Sequence, residues 1–115
     1  MKKLLGIGIS LMLALLVVRV GHANSTPEVD LQTGIVTNGP IVVNQSFVWV
    51  NRVATTCSVT GGTQQWFSSD PVSVPAASDG NTGTATVTAT AVGTFTYSSP
   101  CLEVGSPRVP VQGSH

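Results

Sequence analysis

After Lys3 the chain has no lysine, and after His22 its only histidine is His115, the last residue. Each absence excludes a chemistry. A chain so poor in cations offers no basic footprint for a phosphate backbone, so nucleic acid is not an expected partner. An anionic membrane surface is excluded on the same ground. Without an internal histidine there is no base to activate a serine or cysteine in a hydrolytic triad. A terminal residue is a poor general base or metal ligand. Glu28 and Asp30 are the remaining acid–base pair; they are in phase on one strand face but close to a fraying end, and read as solvated surface. Neither catalysis nor a cofactor is expected.

Strong helix formers are also scarce. Beyond Leu16 the only leucines are Leu31 and Leu102, and no methionine follows Met12. What is abundant instead is Val, Thr and Ser, which supply 40 of the 92 residues from 24 to 115. Branching at Cβ restricts χ1 and favours a pleated backbone over a helix, so the expected class is all-β.

The head of the chain reads as an address. Met1-Lys2-Lys3 is basic, residues 4–18 are an uncharged apolar run with Ser10 as its one polar residue, and Gly21-His22-Ala23 ends it with small residues at the first and third places. Basic head, apolar run of about 7–15 residues and small-x-small exit are the parts of a secretory signal peptide. A spanning helix wants about 20 apolar residues, and this run is shorter and stops at Arg19. The expected organisation is a signal peptide over 1–23, cleaved after Ala23, and one domain over 24–115, secreted or periplasmic and free of the membrane after cleavage. Cleavage would leave Arg52 and Arg108 against Glu28, Asp30, Asp70, Asp79 and Glu103, two positive and five negative groups and a formal charge of −3.

Only two cysteines occur, Cys57 and Cys101. An even count in an exported chain reads as one disulfide, because the compartment beyond the membrane is oxidising. Closing a loop of this length adds roughly 3–4 kcal/mol in the chain-entropy model. A redox-active pair would sit together as C-x-x-C, which these do not.

Along the domain, short β-like pieces alternate with turns. Residues 29–36 and 41–43 flank Asn38-Gly39-Pro40. Residues 45–50 predict a strand with Phe47 and Trp49 on one face. Asn51-Arg52 makes a turn, and 53–60 predict the next strand, with Val53, Thr55, Cys57 and Val59 sharing a face. Residues 64–67 are a candidate short strand, and Pro71 and Pro75 confine 72–74 to an edge. Residues 78–83 are a turn by composition. Residues 84–90 alternate cleanly, with threonines on one face and Ala85, Val87 and Ala89 on the other. Phe95, Tyr97 and Cys101 are in phase along the following strand. Pro107 and Pro110 predict a last strand that is short and an edge. About seven short strands of this kind suggest a Greek-key β-sandwich.

Four features carry a family resemblance: Ser46-Phe47-Val48-Trp49, an early strand ending in tryptophan; a strand 54–62 that holds Cys57 and closes on Gly61-Gly62; Trp66 after that glycine pair; and the run 84–97 leading to Cys101. Residues 45–105 resemble the Ig-like β-sandwich domains of bacterial secreted and surface proteins. The resemblance implies a disulfide between neighbouring strands near the sandwich's edge, with Trp49 in the central inward position of its strand. Ser98-Ser99-Pro100 and the proline-marked final strand depart from the pattern. Such sandwiches serve as spacers, adhesion modules and binders alike, so the resemblance points to a structural role or to a protein or glycan partner.

The binding candidates lie at Gln64, Gln65, Trp66, Phe67 and Asp70. Adjacent residues of a strand point to opposite faces, so one of Trp66 and Phe67 would be core and the other free to stack on a sugar ring or a protein partner. The plainer reading, and the one preferred, packs Trp66 over the Cys57–Cys101 bridge and Phe67 against a loop. Residues 61–75 are also the candidate protruding loop of a different kind of protein, a secreted inhibitor or effector that blocks an enzyme. Asp79-Gly80-Asn81-Thr82-Gly83 has the look of a calcium-loop opening, but no late glutamate follows, and it reads as a turn.

Overall fold

The computed structural model describes residues 25–114; the expected signal peptide and its cleavage site lie outside the described residues. Nine strands and no helix are found among them. They are β1 (Glu28–Asp30), β2 (Val36–Thr37), β3 (Ile41–Val42), β4 (Ser46–Asn51), β5 (Cys57–Val59), β6 (Val72–Val74), β7 (Gly83–Thr88), β8 (Gly93–Thr96) and β9 (Arg108–Gln112).

The strongest alternations build the first sheet, of order β2-β1-β4-β7. β4 runs antiparallel to β7 with Phe47 opposite Val87 and Trp49 opposite Ala85. β1 lies on the other side of β4 in a parallel register that places Val29 beside Trp49. The inward residues Val29, Phe47, Trp49 and Val87 are buried, while Thr84 and Thr86 on the outer face are exposed. The period-2 pattern therefore sets the register, since a one-residue slip would turn every one of these side chains to the wrong face.

The second sheet has the order β3-β9-β8, with β3 and β9 parallel. The β5–β6 ribbon continues this layer: Thr60 and Ser98 exchange two backbone hydrogen bonds of 3.0 and 2.9 Å, which join the end of β5 to the chain just beyond β8. Aromatic contacts join the layers into a sandwich-like arrangement. Trp49 of the first sheet lies 4.7 Å from the Tyr97 ring, centroid to centroid. Among the described residues one buried side-chain polar atom, Trp49 Nε1, has no hydrogen-bond partner.

Four expectations are corrected. The 53–60 strand shrinks to β5, because Asn51 captures the backbone before it: Asn51 Nδ2 donates to Thr55 O and Val53 N donates to Asn51 Oδ1. Local side-chain bonds of this kind compete with a ladder. The 29–36 piece is cut in two by a turn in which Thr33 N and Gly34 N both donate to Asp30 O, and Gly34 has φ +80° where Pro107 leaves no room for a Cβ. The last strand is not an edge: β9 lies between β3 and β8. Pro110 sits opposite Thr94, one residue before the pairing with β3 begins at Val111, so its missing donor falls outside that ladder. Residues 64–67 do not form a strand, and only Phe67 makes a bridge, to Ala89.

Candidate functional site

The disulfide expected from the cysteine count is present, joining Cys57 to Cys101 across a sequence separation of 44 with Cα atoms 6.0 Å apart. Cys57 opens β5 and Cys101 lies in the β8–β9 loop, so the bridge pins that loop to the neighbouring strand.

The five candidate binding residues are not brought together as a recognition surface. Trp66 and Phe67 are both fully buried. Because 64–67 is not a strand, the rule that adjacent side chains diverge does not apply, and both rings turn inward. Trp66 stacks between Phe47 at 5.7 Å and Phe95 at 5.4 Å, with interplanar angles of 1° and 8°. Its Nε1 donates to Thr96 O at 3.0 Å, the carbonyl of the last residue of β8. Phe67 meets Trp49 edge-on at 5.5 Å. Neither ring is free to stack on a sugar; of the two readings, the one that packs both rings inward is the one found, with Trp66 set against Phe47 and Phe95. Asp70 is part-buried and accepts Gly61 N at 3.0 Å, closing the loop on itself. Only Gln64 and Gln65 present side chains to solvent.

At the other end of the sandwich a different cluster gathers. Gln32 and Asn51 are fully buried polar residues. Gln32 Nε2 donates to Asn51 Oδ1 at 2.8 Å, and Gln32 Oε1 accepts Arg52 N at 3.0 Å. Asn51 Nδ2 donates both to Thr55 O and to Pro75 O, at 2.8 and 3.0 Å. Glu103 N donates to Gln32 O at 2.9 Å. A side chain so fully paired avoids the penalty of a buried orphan and fixes every backbone it touches. The two side-chain amides thus tie together the β1–β2 turn, the β4–β5 loop and the chain after β6, and the main-chain carbonyl of Gln32 adds the β8–β9 loop.

Above this buried pair sits an ionic layer. Arg52 Nε lies 2.7 Å from Asp30 Oδ2 and its Nη2 3.6 Å from Glu103 Oε1. The hydrogen bond and charge of Asp30 raise the guanidinium's pKa, with Glu103 adding to the effect, so Arg52 is a fixed cation. Tyr97 donates its hydroxyl to Leu31 O at 2.7 Å. Burial and then the Asp30 charge push its phenol far above the usual range, which keeps it a neutral donor. A shallow cleft of about 350 Å³ opens between Arg52 and the hairpin tip 78–82. Ile35 and Val104, both exposed, belong to the same loops.

Chemically this end can accept hydrogen bonds and pair with charge; among the described residues no three His, Cys, Asp or Glu converge on a metal-sized site. Sequence reasoning missed Gln32 and Asn51. A signal existed for Asn51, which shares the inward phase of Phe47 and Trp49, and a polar residue on a core face demands partners. Comparison with protein-family models, curated proteins and solved structures finds no match to this chain.

Proposed function

We propose that the chain is an exported, non-catalytic Ig-like module that binds a protein or glycan through the loops at its polar end. The observation that carries this reading is the construction of that end. Four separate segments are locked by a buried Gln32–Asn51 pair, by the Arg52 ion pairs and by a disulfide, and they carry the exposed apolar side chains Ile35 and Val104. Rigid loops lose less entropy on binding, so order of this kind favours recognition. The signal-like head and the disulfide support export. The antiparallel β4–β7 pair, the β5–β8 link and the parallel β3–β9 pair support the Ig-like assignment.

A second reading, the blocking inhibitor, rests on the 61–75 loop. Trp66 and Phe67 anchor it, Asp70 closes it and residues 62–65 are left exposed. One experiment separates the two. The exported protein is screened on a glycan array and against surface or envelope proteins, and each hit is retested with Glu103→Arg and with Gln64→Ala/Gln65→Ala. Loss of binding with Glu103→Arg alone supports the loop-end module, and loss with the glutamine pair alone supports the inhibitor. Binding that survives both changes refutes both surfaces.

A further inference from the structure

The turn that carries the chain from one sheet to the other is Asn38-Gly39, between β2 of the first sheet and β3 of the second. We infer that Asn38 is a site of spontaneous covalent modification, losing its side-chain amide to a succinimide formed with Gly39. In this step the backbone nitrogen of Gly39 attacks Cγ of Asn38. The new C–N bond closes a five-membered ring, the bond from Cγ to Nδ2 breaks, and ammonia leaves carrying the proton from the Gly39 N–H. Water, the sole co-reactant, then adds to one of the two ring carbonyls and opens it to aspartate or to isoaspartate.

Three observations single out this position. Among the described residues, Asn38 is the only asparagine followed by glycine; Asn44, Asn51 and Asn81 precede Gln45, Arg52 and Thr82. A glycine leaves its own nitrogen unshielded and its backbone free to rotate into the attack. Gly39, at φ +111°, has no atom within 4 Å of the place a Cβ would occupy. Its N–H makes no hydrogen bond among the described residues, and the Asn38 side chain makes none either. Asn51 is the opposite case, its amide held by Thr55 O, Pro75 O and the Gln32 side chain.

The product changes more than mass. Asn38 lines a cleft of about 410 Å³ with Pro27, Val42 and Gln45, so the reaction sets a new carboxylate in that cleft. Isoaspartate also adds a methylene to the main chain where β2 crosses to β3.

The test is timed peptide mapping of the exported protein in mildly alkaline buffer, with labelling by an isoaspartate methyltransferase. The expected result is a gain of one mass unit at Asn38, isoaspartate at the same residue and an acidic shift on ion exchange, while Asn44, Asn51 and Asn81 remain amides. Asn38→Gly abolishes all three signals; glycine accepts the φ of +66° found there, so this variant should fold. An Asn38 that stays an amide as long as the other three overturns the inference, as does an unchanged acidic shift in Asn38→Gly. Isomerisation at Asp79-Gly80 adds no mass and is thereby distinguished.

Discussion

The two ends of the sandwich hold their loops by opposite means. The 61–71 loop is anchored by inserting two aromatic rings into the core, Trp66 between Phe47 and Phe95 and Phe67 against Trp49. The other end is anchored by buried amides, an ionic layer and a covalent bridge. Apolar insertion is non-directional and draws its strength from area removed from water. Amide pairing is directional and weak in net terms, but severe when half broken. The first device therefore contributes mainly stability, and the second mainly geometry. A domain whose loops recognise something gains from keeping the second kind of order under its binding surface.

The comparison is broken most directly at its apolar half. Trp66→Ala removes the ring that fills the space between Phe47 and Phe95 and leaves Thr96 O without its donor. The expected loss is about 3–5 kcal/mol, the usual range for deleting a buried tryptophan. Urea titration followed by far-UV circular dichroism measures it. A loss below about 1 kcal/mol would mean that the loop is not held by its aromatic anchor.

Next in size is the covalent staple. Replacing both cysteines by alanine should lower stability by about 3–4 kcal/mol if the effect lies in the unfolded chain. Because Cys57 is buried while the β8–β9 loop is also held through Glu103 and Gln32, the folded state should keep its native near-UV spectrum. A double variant that folds but loses that spectrum would show that the bridge shapes the loop as well as restricting the unfolded chain.

The polar half is tested by Asn51→Leu. It strands Val53 N, Thr55 O, Pro75 O and the Gln32 amide at once, around a fully buried side-chain position. About 1–3 kcal/mol should be lost, and restoring part of it with Gln32→Leu in the same chain would show coupling between the two amides. Additive losses would mean that the pair does not act as a unit.

How far these two ends could be read in the sequence follows from what each is made of. The all-β class, the inward Phe47 and Trp49, the outward threonines of β7 and the Cys57–Cys101 bridge were legible, because alternation and cysteine count report local, regular structure. The neighbours of Trp66 and Phe67 were not: residues 64–67 form no strand, so alternation does not say which side each ring takes. The central position of β9 was hidden because its prolines mark an edge by rule, and only the register with β3 shows the missing donor falling outside the ladder. The polar network was hidden because Gln32 and Asn51 find partners on four segments far apart in sequence, which no local pattern records.

Titration of Tyr97 probes both halves together, since its ring packs on Trp49 and its hydroxyl reaches the polar end at Leu31 O. Its folded pKa is raised above the ordinary 10.0, so the folded state keeps a proton that the unfolded chain releases. Stability is thus level below pH 10.0 on this account and falls as pH rises above it, by about 1.4 kcal/mol for each pH unit until the folded phenol ionises. Tyr97→Phe should lose about 1 kcal/mol at neutral pH with its hydrogen bond, and its stability should no longer fall through that alkaline window from this source.

The smallest effect on stability is expected at Arg52, and it is the sharpest test of the division of labour. The Arg52 side chain is 43% exposed, and exposed ion pairs contribute about 0–1 kcal/mol and weaken with salt. Arg52→Ala should therefore unfold within about 1 kcal/mol of the parent, with the difference shrinking at high ionic strength. Asp30 and Glu103, released from a shared cation, would still be free to reorient and alter the face that the loops present. A binding surface at this end then predicts loss of ligand affinity in a domain of nearly unchanged stability. If Arg52→Ala instead lowers stability as much as Asn51→Leu, the ionic layer belongs to the framework. The polar end would then be a second way of holding the sandwich together, with no surface set aside for recognition.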